Sequence, residues 1–167
     1  DRLDSHPLID LQLLDAGGWF EQKDPYATVP EIAPHILAAF KEEPIPTLYD
    51  GLVLTKELDW RINIELKDHG NEPEPNFHPA RVLRELARSG IAPARVTLSS
   101  FKHDWLRFLR QHAPGYEIQA LVGDRDEEPL HFNDPVFTSA EFEVLNINAL
   151  LVTLSDIRAL KAAGKRI

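Results

Sequence analysis

Residues 61–68 (RINIELKD) are the stretch most able to carry chemistry, because polar and aliphatic side chains alternate along it. Successive side chains of a strand point to opposite faces, so Asn63, Glu65 and Lys67 share one face. A carboxylate can bind a hard divalent cation, and an ammonium can bind a phosphate. The plainer alternative is that Glu65 and Lys67 pair with each other at a solvated strand end. The alternation alone leaves both interpretations open.

The helices and strands that must position this stretch are predicted by the hydrophobic periodicity of the chain from residue 48 onward. Helical stripes alternate with short strands at roughly 20–35 residues per unit, which predicts a parallel sheet covered by helices. Ser155 is the predicted N-cap of the last helix. The predicted helices cover 48–57, 79–88, 103–112 and 155–163, and the predicted strands cover 60–66, 95–100, 117–122, 144–147 and 165–167.

Two architectures satisfy this alternation, an open doubly wound sheet and a closed barrel. The sequence has no Gly-rich phosphate loop of the kind expected in a nucleotide-binding sheet, which favours the barrel. In a barrel, the aliphatic face of residues 61–68 packs on the outer helices and the polar face points into the lumen. Glu65 and Lys67 then lie at the carboxyl end of their strand, where barrel enzymes place their chemistry.

Residues 5–46 have a different character. A short helix is predicted over 8–16 and is ended by a Gly-Gly pair. A Pro-rich, irregular stretch follows, with one or two helical turns at 36–40. We therefore expect a single domain over 1–167 that contains an irregular segment at 5–46.

Composition excludes several classes of protein. The 167 residues include 18 Lys and Arg against 27 Asp and Glu, a formal charge of −9, so we expect no nucleic-acid partner. No apolar run approaches the roughly 18 residues that cross a bilayer, and no signal pattern is visible, so the cytoplasm is the default expectation. Cysteine is absent, which excludes disulfides and thiolate metal sites. The sequence does not indicate an oligomeric state.

Five stretches, in order, resemble the glycerophosphodiester phosphodiesterase family. Residues 63–67 (NIELK) look like the third-strand motif of that family. Residues 14–20 (LDAGGWF) are close to the family's LDAGSWF, with Gly18 in place of Ser. Residues 45–48 (IPTL) and 99–101 (SSF), the latter followed by Asp104 and Leu106, are two further matches. Residues 151–167 resemble the family's late helix and seventh strand.

The resemblance implies a (β/α)₈ TIM barrel, present here as an incomplete fragment of about strands 3 to 7, with residues 5–46 as a small insertion over the barrel mouth. It implies metal-dependent hydrolysis of small glycerophosphodiester substrates to glycerol 3-phosphate and an alcohol. By this resemblance Glu65 is a catalytic residue and a ligand of a divalent cation, Mg²⁺ or Ca²⁺. Lys67 is a catalytic residue that binds the substrate phosphate. Phe101 is a candidate wall of the substrate pocket, with core packing as its alternative.

The sequence departs from the family in its proton-transfer groups and metal ligands. The family has one catalytic histidine in a His-Arg-Gly, which does not occur here, and metal ligands in a Glu-x-Asp, which occurs at no suitable place. Residues 1–4 resemble those after the family's His-Asp pair, so its histidine would fall just before Asp1. A complete barrel needs about 250 residues. We therefore expect a portion of a larger protein that hydrolyses nothing by itself.

Two other functions stay open. One is a lysophospholipase D-like phosphodiesterase of the same fold, which a hydrophobic mouth around residues 19–40 would favour. The other is a barrel that has lost catalysis and serves as a binding module. The seven histidines have no metal-binding spacing and are expected to have surface or capping roles. The acidic stretch Asp124–Glu128 is expected to be a solvated turn.

Overall fold

A computed structural model describes residues 5–41, 43–70, 73–123 and 141–167. The stretch Asp124–Glu128 and His131, for which a turn and a surface role were predicted, lie outside these ranges. The contacts divide the chain into two units, Asp1–Gly51 and Leu52–Ile167. The expectation of one domain with an inserted segment at 5–46 stays a prediction.

The first unit contains short helices joined by turns. The predicted helix that begins at Leu8 is present but ends at Gln12, earlier than predicted. After Gln12 the backbone N–H groups of Leu13 and Leu14 donate to carbonyl oxygens three residues back, at 3.3 and 3.1 Å, and that of Ala16 donates to the carbonyl oxygen of Glu43 at 2.7 Å. Because these donors are satisfied outside the α-helical pattern, the helix does not continue to residue 16. The helices are α1 (Leu8–Gln12), α2 (Trp19–Lys23) and α3 (Pro34–Phe40), with a 3₁₀ turn at Val29–Glu31.

Aromatic packing holds the first unit together around Phe20. Its ring lies 6.0 Å from that of Trp19, 6.4 Å from that of Tyr26 and 5.6 Å from that of Phe40, measured between centroids. A Cβ added at Gly17 would overlap the carbonyl oxygen of Phe40, so only glycine allows this approach.

The second unit carries the strand–helix alternation that the sequence predicts. Each element predicted from residue 48 onward has a counterpart, although the last predicted strand is represented only by a parallel bridge between Val144 and Arg166. The elements are α4 (Leu48–Glu57), which begins in the first unit, β1 (Ile62–Leu66), α5 (Phe77–Ser89), β2 (Val96–Ser100), α6 (His103–His112), β3 (Glu117–Val122), β4 (Val144–Ile147) and α7 (Leu154–Ala162).

The four strands form one parallel sheet in the order β1-β2-β3-β4. Each strand therefore pairs with the next one along the chain. A doubly wound sheet reverses its strand order at a switch point, whereas a barrel wall continues in one direction. The observed order indicates the barrel.

The register gives the sheet one aliphatic face and one mainly polar face. Leu98 and Leu145 are fully buried on the aliphatic face, as are Trp105, Leu106 and Leu109 of α6. The aliphatic face consists of Ile62, Ile64, Leu66, Val96, Leu98, Ile118, Ala120, Val122, Leu145 and Ile147. The polar side chains of the other face are Asn63, Glu65, Thr97, Ser99, Glu117, Gln119 and Asn146. The predicted division of β1 between its two faces is confirmed.

The prediction that Ser155 caps the last helix is wrong. The N-cap of α7 is Thr153, whose hydroxyl accepts the backbone N–H of Asp156 at 3.2 Å. The carboxylate of Asp156 in turn accepts the backbone N–H of Thr153 at 2.9 Å. This reciprocal capping box satisfies two donors at once, whereas Ser155 already lies within the first turn.

The substitution Thr153→Ala should lower the free energy of unfolding by about 1 kcal/mol, because it removes the capping hydroxyl. Ser155→Ala is the matched control and should leave the free energy of unfolding nearly unchanged. Urea denaturation of the two variants beside the parent protein measures both values. A larger loss in Ser155→Ala than in Thr153→Ala would contradict the assigned cap.

Candidate active site at the carboxyl ends of two strands

Glu65 and Lys67 lie where β1 ends. Glu65 is the penultimate residue of the strand and Lys67 follows its last residue. Lys67 Nζ is 3.8 Å from Glu65 Oε1, and the side chains are 67% and 39% exposed. This distance is within ion-pair range but too long for a hydrogen bond. The pairing of Glu65 with Lys67, the plainer alternative from the sequence, is therefore present as an ion pair and not as a hydrogen bond.

A pocket of about 460 Å³ opens beside these two side chains. Phe101, which follows the last residue of β2, borders the same pocket and is 42% exposed. The structure therefore brings all three predicted site residues to one place. The lining residues are Glu65, Leu66, Lys67, Asp68, His69, Phe101 and Lys102.

Asp68 and Lys102 are pocket residues that the sequence reasoning missed. Lys102 Nζ is 2.9 Å from Asp68 Oδ2, and it lies 4.6 Å from the ring centroid of the buried Trp105. The hydrogen bond from Lys102, with a second one from the backbone N–H of Gly70, lowers the pKa of Asp68 below its ordinary value. The signal that could have found them is their position, since each lies two residues beyond a strand end.

Hydrogen bonds from β2 fix the end of β1 beside the pocket. The buried hydroxyl of Ser100 donates to the carbonyl oxygen of Leu66 at 2.7 Å and accepts the backbone N–H of Lys102 at 3.0 Å. On the polar face, Ser99 Oγ donates to Asn63 Oδ1 at 3.0 Å. Asn63, the third member of the predicted polar series, therefore bonds to the neighbouring strand.

Among the described pocket residues, Glu65 is the candidate ligand for a divalent cation. Ca²⁺ takes about six to eight oxygen ligands, and Mg²⁺ takes about six. Within the described ranges, no three His, Asp or Glu side chains are grouped so that they could hold a metal ion. Glu65 is a half-exposed carboxylate at the pocket, whereas Asp68 is engaged by Lys102. The donor chemistry fits Mg²⁺ or Ca²⁺ but is incomplete.

The histidines of the described chain make several backbone and ring contacts. The ring Nε2 of His103 is 3.0 Å from the carbonyl oxygen of Leu121, and the ring Nδ1 of His112 is 2.9 Å from that of Phe108. His69 is different, because it borders the pocket beside Asp68. The expectation of surface or capping roles stays a prediction for all the histidines.

Comparison with known proteins identifies the relatives of the chain. The family model described as "Glycerophosphoryl diester phosphodiesterase family" matches residues 2–167. The chain belongs to this family. Its members fold as TIM barrels, so the predicted fold class, an incomplete (β/α)₈ barrel, is confirmed. No curated protein matches the sequence.

A solved structure supports the fold of this family member. It is a crystal structure of a protein from Galdieria sulphuraria, assigned as a glycerophosphodiester phosphodiesterase, with a TM-score of 0.70 and 18% sequence identity. At this identity the likeness shows the fold alone. The match covers 99% of this chain and 56% of that one, so the chain spans little more than half the length of the solved protein. Within the described residues, no helix is long and apolar enough to cross a membrane.

The substitution Asp68→Asn should lower the free energy of unfolding at neutral pH and have no effect in strong acid. The folded-state pKa of Asp68 lies below the ordinary value of 3.8, so its stabilising contribution is present above that pH and is lost as the pH falls through the lowered pKa. Denaturant unfolding of both proteins from pH 7 down to about pH 2 measures the difference. A difference that persists unchanged in acid would contradict this assignment.

Proposed function

We propose that this family member carries part of the active site of a metal-dependent phosphodiesterase, which hydrolyses glycerophosphodiesters to glycerol 3-phosphate and an alcohol. The observation that carries the proposal is the pocket in which Glu65, Lys67 and Phe101 meet at the carboxyl ends of β1 and β2. Barrel enzymes place their active sites at this end of the strands. Family membership over residues 2–167 supplies the class of reaction.

Charge complementarity supports the roles of the two charged residues. A phosphodiester is an anion, and the exposed ammonium of Lys67 borders the pocket and makes no hydrogen bond to Glu65 across their 3.8 Å. Lys67 therefore binds a phosphoryl oxygen and stabilises the charge that develops on it during the reaction. Glu65 contributes one carboxylate ligand to Mg²⁺ or Ca²⁺. A bound cation of this kind polarises phosphoryl oxygens as a Lewis acid.

Phe101 supplies an apolar wall to the otherwise charged pocket. Its ring is partly exposed although it follows a strand whose last two residues are fully buried. An aromatic side chain in this position can pack against the glycerol carbons or the alcohol group of the substrate. Phe101 is therefore a binding residue in this proposal.

A lysophospholipase D-like activity is the second candidate within the same chemistry. The observation that favours it is the exposure of large apolar side chains in the segment around residues 19–40, including Trp19 at 50% and Tyr26 at 75%. Assays of the intact protein with glycerophosphocholine and with lysophosphatidylcholine separate the two substrates. The cytoplasmic location remains a prediction, and a non-catalytic binding module remains an alternative.

Glu65→Gln in the intact protein should reduce kcat by roughly 100-fold or more, because it removes a charged ligand while keeping the shape of the side chain. Glu85→Gln, a change of a partly exposed carboxylate on α5 that does not line the pocket, is the control and should leave kcat unchanged. A chelator should abolish the activity of the parent protein, and added Mg²⁺ or Ca²⁺ should restore it. Full turnover after either treatment would contradict the role of Glu65.

Lys67→Met should reduce kcat/KM for glycerophosphodiesters by roughly 10- to 100-fold, because a charge-assisted hydrogen bond to the phosphate is lost. Lys161→Met, on the exposed side of α7, keeps the same change of charge away from the pocket and should have no effect. Steady-state kinetics of the intact protein measure both variants. Equal losses in the two variants would show that only net charge matters.

A further inference from the structure

We propose that Asp68 and Lys102 are positioning residues. Their ion pair joins the carboxyl end of β1 to the carboxyl end of β2 and so holds Lys67 and Phe101 in place around the pocket. This inference rests on the proposed function and assigns a further pair of residues to the same site. The supporting observations are the register of the two strands, the anchoring of each partner and the positions of their chain neighbours.

The register places the ion pair directly beyond the last paired residues. Leu66 pairs with Ser100, and both strands end there. Asp68 and Lys102 each lie two residues further on, and their side chains meet at 2.9 Å. The side chains therefore continue the connection between the strands where the backbone ladder stops.

Each partner is anchored independently of the other. The ammonium of Lys102 lies over the ring of Trp105, which is buried, and its backbone N–H is held by Ser100 Oγ. The carboxylate of Asp68 accepts the backbone N–H of Gly70 at 2.8 Å, which turns the chain directly after the strand. Since both ends are fixed, the ion pair constrains the backbone on each side and not only the two side-chain tips.

The residues constrained in this way are the ones proposed to contact substrate. Lys67 immediately precedes Asp68, and Phe101 immediately precedes Lys102. A displacement of about 1 Å in a positioning group can cost roughly 100-fold in rate, whereas a part-exposed ion pair contributes little to stability. Loss of this pair should consequently affect kinetics far more than unfolding.

The chain contains a matched control at the opposite end of the same two strands. Arg95, directly before β2, forms an ion pair with Asp59, three residues before β1. This pair also joins β1 to β2, but at their amino ends and away from the pocket. A general stabilising effect of cross-strand ion pairs predicts equal results at both ends, whereas positioning predicts an effect at the carboxyl ends alone.

The experiment is a double-mutant cycle on the intact protein with Asp68→Asn, Lys102→Met and the double variant. Each single variant should lower kcat/KM for a glycerophosphodiester by about 5- to 30-fold. The kcat/KM of the double variant should be no lower than that of the less active single variant, because the two residues act as one unit. Lys102→Arg should retain most of the activity, because the bond to Asp68 is kept. Asp59→Asn should stay within about twofold of the parent protein.

Three outcomes would overturn the proposal: unchanged kinetics in both single variants, a multiplicative loss in the double variant, or an equal loss in Asp59→Asn. If the parent protein hydrolyses no glycerophosphodiester, the proposed function fails, and hydrogen exchange then tests the positioning pair by itself. Lys102→Met should speed exchange of the Gly70 amide, and Asp68→Asn should speed exchange of the Lys102 amide. Unchanged exchange in both variants refutes the pair even without an assay.

Discussion

The separation of aliphatic and polar side chains onto opposite faces of the parallel sheet is the constraint on which the structure depends. Leu98 of β2 and Leu145 of β4 are buried on one face, whereas Glu65 of β1 is exposed on the other. Because strand side chains repeat with a period of two, a slip of one residue would bury Glu65 and expose the aliphatic row. The hydrophobic effect therefore fixes the register, and the register in turn fixes the positions of the charged residues.

The charged groups at and just beyond the carboxyl ends of β1 and β2 include two ion pairs of different character. Lys67 and Glu65 are 3.8 Å apart and exposed, so they are not joined by a hydrogen bond and both side chains are accessible to a ligand. Lys102 and Asp68 are 2.9 Å apart, and each has a further anchor, the buried ring of Trp105 for Lys102 and the backbone N–H of Gly70 for Asp68, so they hold the chain in place. One pair is suited to binding and the other to positioning, although both consist of one lysine and one carboxylate.

The chemistry of the pocket also defines what the described residues supply to the proposed reaction. Glu65 offers one oxygen ligand to a hard cation, which needs about six, and Lys67 offers one cation to a phosphate. No group of three potential metal-ligating side chains occurs in the part of the chain that the structure describes. Of the two proposed roles, phosphate binding by Lys67 therefore needs fewer groups from outside this pocket than cation binding by Glu65 does.

The sequence by itself determined the four strands of the sheet, the helices from residue 48 onward and the face of β1 on which Glu65 lies, because these follow from periodicities within a few neighbouring residues. It did not identify the Asp68–Lys102 pair, since that contact joins residues 34 apart through the register of two strands, and it left open whether Phe101 borders the pocket or packs in the core. The sequence also could not show that Thr153 and not Ser155 is the N-cap, because two hydroxyls two residues apart satisfy the same local rule. Only the turn of the chain into α7 decided which hydroxyl meets a free backbone N–H.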